Sequence, residues 1–139
     1  VIAYRLAAVL LALWTGSLLT VCGLVAPTLF ALLERSQAGQ VAARLFFAET
    51  LIGVVAAVGI FVAQRRGGFV LPRGATIGIV VAAALPLASQ LFLSPLMQAA
   101  RAAGDMARFG ALHGVSAALF AGACAAALFA LWSFSRPAA

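Results

Sequence analysis

Apolar residues run through this chain in long blocks that charged residues interrupt only at intervals. Residues 6–33, 74–100 and 109–135 contain no Asp, Glu, Lys or Arg, and residues 45–64 contain one, Glu49. Each block reaches the roughly 20 residues a helix needs to cross the hydrocarbon core of a bilayer. The pattern predicts four transmembrane helices at about 6–31, 42–63, 75–98 and 110–134. No segment alternates apolar and polar residues over the length of a barrel strand, which excludes a transmembrane barrel. The three connections are short: 34–41 with Gly39, 64–74 with Gly67, Gly68 and Pro72, and 99–108 with Gly104. Short connections make sequential helices antiparallel. The expected fold is therefore all-α, a single four-helix antiparallel transmembrane bundle over residues 1–139.

Composition sharpens this picture. Of the 139 residues, 65% are hydrophobic and 9% charged, against about 25% charged in an ordinary soluble domain. So few charges cannot cover that much apolar surface in water, and the same numbers exclude disorder. The net charge of +6 comes from arginines that stand between the apolar blocks. That placement suits headgroup anchors and topology signals, not a nucleic-acid surface. Arg5, Arg65, Arg66, Arg73 and Arg136 fall on one side, and Arg35, Arg44, Arg101 and Arg108 on the other. The excess, with the tight Arg65, Arg66, Arg73 loop, predicts cytoplasmic termini, in a bacterial inner membrane. The first apolar run is too long for the core of a signal peptide, so no cleavable leader is expected. Cys22 and Cys124 stand deep in apolar runs without metal-ligand spacing and read as small buried hydrophobes.

Lipid tails are as apolar as leucine, so small residues and buried polar groups must pack these helices. Each predicted helix carries such a stripe: Gly16, Thr20, Gly23 and Pro27; Glu49, Gly53 and Ala57; Gly78, Ala82, Pro86 and Gln90; Gly110, Gly114, Ala118 and Gly122. The stripes are expected to face one another. Pro86, in mid-span, is expected to kink its helix by removing one backbone hydrogen bond and crowding the carbonyl four residues earlier.

Ionisable groups within a span are costly and are functional candidates by default. Here they are Glu49 and His113. Both are expected on the half of the bundle nearer the 34–41 and 99–108 loops, with Gln90, Ser116 and Thr28 converging on them. Three readings of this polar site stand side by side. Glu49 pairs with His113 or an arginine as a structural clip. Alternatively, the pair handles protons or cations, since histidine changes charge near neutral pH. A metal site is the third, but one histidine and one carboxylate fall short of the four ligands zinc wants. No nucleophile–base motif, zinc-protease signature, P-loop or dinucleotide fingerprint is present. Neither an enzyme nor a cofactor is expected. The expected partners are the bilayer and either a homo-oligomer or a larger membrane complex, with no nucleic acid.

Several short segments resemble a known family. Trp14-Thr15-Gly16, Ala26-Pro27-Thr28-Leu29-Phe30, Ala38-Gly39, Leu45-Phe46, Ser94-Pro95 and Leu112-His113-Gly114-Val115-Ser116 are similar to the transmembrane protein 205-like family, domain of unknown function 4149. The His-Gly-x-Ser segment is the most specific part. The resemblance implies a small four-span membrane protein without an established biochemical activity. This chain departs from the family pattern at Phe120 and Ser89, where the pattern has asparagine, so a shared polar site is thinner here. The expected role is transport-like, or proton- or cation-handling, through the polar half-bundle. The alternative is an accessory or scaffold subunit of a larger membrane complex.

Overall fold

A computed structural model describes residues 1–136. Those residues form four long helices and no strand: α1 (Ile2–Leu32), α2 (Arg35–Gly67), α3 (Arg73–Ala102) and α4 (Met106–Ser135). Each is long and apolar enough to cross a membrane. The helices outrun the apolar blocks at their ends. Arg35–Gln40 and Gln98–Ala102 continue α2 and α3 instead of ending them, the first in spite of Gly39 and the second with three alanines. A charged residue marks the edge of the hydrocarbon, not the end of hydrogen bonding, because a helix of 30 residues at 1.5 Å per residue is ~45 Å long and reaches through the headgroups as well.

The turns follow local chemistry. Gly68 ends α2 at φ 64°, the left-handed conformation glycine adopts without a Cβ penalty. Arg65 and Arg66 sit in the last turn of α2, where positive charge complements the helix dipole. Gly104 turns the third loop at φ 72°. The Asp105 carboxylate then accepts the Arg108 N–H at 3.0 Å and caps the start of α4.

Two π-turns interrupt the α-helical hydrogen bonding, Val21–Val25 in α1 and Ser89–Leu93 in α3. Each ends directly before a residue whose neighbour is proline. The Ala26 N–H bonds the Val21 carbonyl, and the Ser94 N–H bonds the Ser89 carbonyl, five residues back. Pro27 and Pro95 follow at once. The wider turn moves the carbonyl four residues before each proline away from its ring. α3 stays α-helical through the buried Pro86, which leaves the Ala82 carbonyl without its usual N–H partner. The π-turn at 89–93 follows, ahead of Pro95.

The four helices pack in a ring, α1 on α2, α2 on α3, α3 on α4 and α4 on α1, with α3/α4 and α1/α2 the closest pairs. Their inner faces are complementary. Large side chains of α1 (Leu11, Trp14 and Leu18) meet small residues of α2 (Gly53, Ala56 and Ala57). A Cβ on Gly53 would stand 3.0 Å from the Trp14 ring. The α3/α4 seam is tighter, because a Cβ on Gly78 would lie 2.7 Å from the Ala126 carbonyl oxygen. At the end carrying the termini and the 64–74 loop, Tyr4 stacks on Phe134 at 4.7 Å, meets Phe69 edge-on at 5.5 Å, and donates its hydroxyl to the Phe134 carbonyl.

Two of the four small-residue stripes face inward as expected. Gly53 and Ala57 are buried in α2, and Gly78, Ala82 and Pro86 in α3. The stripe of α1 does not, and that of α4 does so only at Gly122, where a Cβ would stand 3.1 Å from Leu85. Gly16, Gly23, Gly110 and Gly114 are exposed, and a Cβ on any of them would meet nothing within 4 Å. The packing role expected of these four glycines within the bundle is therefore corrected. Leu11, Trp14 and Leu18 take the inner face of α1, because the wide space left by the glycine and alanines of α2 is filled by bulk.

Candidate functional site

Glu49 is buried at 4% exposure, near the middle of α2. The Ser17 hydroxyl, near the middle of α1, donates to Glu49 Oε1. Glu49 Oε2 is enclosed and has no hydrogen-bond partner among the described residues. One turn along each helix, Trp14 packs over Gly53, and its indole Nε1 is likewise enclosed and unpartnered. The α1/α2 seam therefore carries two successive polar rungs, each with one unsatisfied atom, an acceptor and a donor. A buried polar atom without a partner costs roughly 1–3 kcal/mol, and such atoms in a native fold call for an explanation. An apolar groove of ≈460 Å³ runs along the lipid side of this seam, with Trp14 and Ser17 in its wall.

Two thiols complete the mid-membrane layer. Cys22 of α1 and Cys124 of α4 face each other across the α1/α4 seam, both within electrostatic range of the Glu49 carboxyl. Cys124 Sγ also points at the Leu18 carbonyl, 3.8 Å away. Both cysteines are free. A separate polar contact at similar depth joins α3 to α4, where the Ser89 and Ser116 hydroxyls lie 2.7 Å apart.

The residues expected to converge are divided. Glu49 takes its one hydrogen bond from Ser17, so His113 does not reach it. His113 is exposed and stacks parallel to Phe109 at 6.0 Å between ring centroids. Ser116 pairs with Ser89 and not with Glu49. Gln90 is half-buried beside Ser89. Thr28 is exposed, and its hydroxyl returns to the Leu24 carbonyl of its own helix at 2.7 Å, a common way for a threonine in a membrane helix to satisfy itself. The common site of Glu49, His113, Gln90, Ser116 and Thr28 is thus corrected to a Glu49–Ser17 contact with two thiols nearby, and a Ser89–Ser116 contact apart from it. Ser17 escaped the sequence reading because a serine in an apolar helix carries little signal of orientation, and Ser89 entered it only as a departure from the family pattern. The signal that was available is the 3/4 spacing of Leu11, Trp14 and Leu18, which puts Ser17 beside the inner face. Among the described residues, no group of three or more His, Cys, Asp or Glu side chains is placed to hold a metal ion.

Four apolar antiparallel helices around a mid-membrane carboxyl define a small integral membrane protein. The chain belongs to the family described as a domain of unknown function, DUF4149, whose model matches residues 9–106. The matched residues include Ser17, Glu49 and Ser89; the Leu112–Ser116 segment lies beyond them. Neither a curated protein nor a solved structure matches the chain.

Proposed function

We propose that this protein is a non-enzymatic carrier of protons or small cations in a bacterial inner membrane, with Glu49 as the acceptor. The observation that carries this reading is the enclosed Glu49 Oε2 without a partner. A purely structural carboxyl would use both oxygens, since each one left unsatisfied in a low-dielectric interior costs free energy. An oxygen held open at mid-span keeps a place for a proton or a cation. Ser17 holds the carboxyl in position and lines the groove on the lipid side of the seam, so a proton arriving there needs one transfer through the serine hydroxyl to reach Glu49.

The test is flux through the purified protein in liposomes. A potassium gradient with valinomycin drives protons, and an enclosed pH dye reports them. Wild-type vesicles should acidify faster than empty ones, and Glu49→Gln should abolish the difference. Equal rates in wild-type and Glu49→Gln vesicles would reject the proton reading, and the same vesicles with sodium or potassium tracers test the cation reading. Cytoplasmic termini are part of the proposal. Gln40→Cys should react with a membrane-impermeant maleimide from outside the cell, and Val70→Cys only after lysis.

A second reading is an accessory subunit of a membrane complex or a homo-oligomer. It is supported by the lipid-facing Gly16, Gly23, Gly110 and Gly114, because small residues on an outer face allow a further helix to approach closely. Its test is the size of the complex recovered with mild detergent.

A further inference from the structure

Cys22 and Cys124 take no part in the Glu49–Ser17 contact, yet the fold sets them against each other. Cys124 is buried in α4, and its Sγ lies 3.8 Å from the Leu18 carbonyl of α1. A helical carbonyl points toward the N–H four residues on. Thr20 and Val21 keep α-helical dihedrals, so Cys22 stands one regular turn past Leu18, before the wider winding of the π-turn takes effect. A thiol against the Leu18 carbonyl is therefore beside Cys22. Cys22 in turn packs on the core cluster that contains both Leu18 and Cys124, and the two thiols are within hydrogen-bonding range of each other. The backbone agrees. Cα atoms of Val21–Val25 approach those of α4 to within 8 Å, and a disulfide spans roughly 4.4–6.8 Å between Cα atoms.

The two thiols differ in access. Cys22 is half-buried, and its neighbour Gly23 is exposed with open space where a side chain would stand. A reagent dissolved in the bilayer thus meets Cys22 first, with Cys124 behind it. Depth decides what that reagent is. Cys22 is ten residues from the Leu32 end of α1, about 15 Å along the axis. A helix of this length overhangs a ~30 Å hydrocarbon core by roughly 7 Å at each end. Cys22 is thus well inside the hydrocarbon. Charged oxidants and dissolved disulfides do not enter there, because an ion or an unpaired polar group pays its full desolvation cost. For the same reason a free thiolate, the usual attacking species in thiol–disulfide exchange, is disfavoured. The oxidant that suits this depth is neutral, lipid-soluble and able to take two electrons together with two protons.

We propose that Cys22 and Cys124 form a dithiol–disulfide site oxidised by a lipid-soluble quinone. Two S–H bonds break and one S–S bond forms between the cysteines. The two electrons and two protons released pass to the two quinone oxygens, which leaves the hydroquinone. The new bond crosses the seam between the closely packed α1/α2 and α3/α4 pairs. Oxidation therefore ties the two hairpins together at mid-membrane, where the reduced chain has only side-chain packing to hold them. The proposal is independent of proton or cation flux through Glu49.

The experiment uses the full chain, reduced and reconstituted without oxygen into phosphatidylcholine vesicles that contain a decyl-substituted benzoquinone. After incubation the protein is denatured, remaining thiols are blocked with a maleimide, and peptides are mapped by mass spectrometry without reduction. The expected result is a peptide pair joined through Cys22 and Cys124, loss of both maleimide adducts, and one hydroquinone formed per disulfide, read from ultraviolet absorbance. Oxidation should also raise the midpoint of thermal unfolding, as a cross-link restricts the unfolded chain. Oxidised glutathione added outside the same vesicles should leave both thiols free. Cys22→Ser and Cys124→Ser should each abolish hydroquinone formation while keeping the helical circular dichroism of the wild type. Two free thiols in the wild-type protein after quinone treatment would overturn the proposal without reliance on any variant. Disulfide-linked dimers, or quinone adducts on Cys22 in place of the intrachain bond, would overturn it as well. Oxidation at the same rate in air without quinone would reject the quinone and assign the oxidant to dioxygen.

Discussion

The half of the bundle next to the 64–74 loop and the half next to the 34–41 and 99–108 loops are built from the same residue types and packed differently. In the first, bulky side chains of α1 fill the space over small residues of α2, and α3 meets α4 almost backbone to backbone at Gly78. In the second, the hairpins part and the inner faces of α1 and α4 lose their cover. Glu49 lies at the boundary, enclosed by the packed half and held by Ser17. The difference teaches that an apolar composition decides membrane insertion, while the size match between facing side chains decides where the interior is closed.

Truncation tests the contrast most strongly. Trp14→Ala, in the packed half, should cost about 3–5 kcal/mol. Leu29→Ala, in the parted half, should cost under about 1 kcal/mol, because a half-buried side chain already lacks much of its cover. Thermal unfolding in one detergent compares the two, and equal losses would show that the second half is as tightly packed as the first.

A single methyl separates the halves by sign. Gly78→Ala should destabilise by about 1–3 kcal/mol, since the new Cβ meets main-chain atoms that cannot yield. Gly114→Ala has open space around it and should be neutral or gain up to about 1 kcal/mol from helix propensity. A loss at Gly114 in the monomer would place another helix against that face.

Ser17→Ala removes the partner of Glu49 Oε1 and should cost about 1–3 kcal/mol. The double variant Ser17→Ala, Glu49→Leu should recover most of that loss, because no buried carboxyl is then left unpaired. Failure of the second change to rescue the first would mean that Ser17 acts through packing alone.

The smallest effect is a difference in rate. A membrane-soluble maleimide should modify the half-buried Cys22 before Cys124, which is 9% exposed. Peptide mass spectrometry over a time course gives the order. Modification of Cys124 first would show that it is the more accessible of the two thiols.

Four helices and their antiparallel order were legible because charge is costly in lipid and the charge-free blocks are long. The inward orientation of Glu49 was legible for the same reason. Which face of α1 and α4 turns inward was not. Small residues occupy every face of a chain this rich in alanine and glycine, and of the spacing 110, 114, 118 and 122 only Gly122 turned out to pack inside the bundle, against Leu85. His113 lies on the seam that its spacing indicates, but its exposure depends on how far two hairpins diverge, which no local pattern encodes. The π-turns had a visible correlate, since each ends just before Pro27 or Pro95.

Those two turns also bear on how this chain tolerates changes in length. Deleting a residue from the middle of a transmembrane helix normally rotates everything beyond it by about 100° and turns the inner face outward. A π-turn holds one residue more than the α-helix around it. Removing Leu24 or Leu91, both exposed and both inside a π-turn, would let the local winding return to the regular pitch and leave the faces on either side in phase. At these two places the chain can lose a residue from the centre of the bilayer and still present the same side chains to the same neighbours.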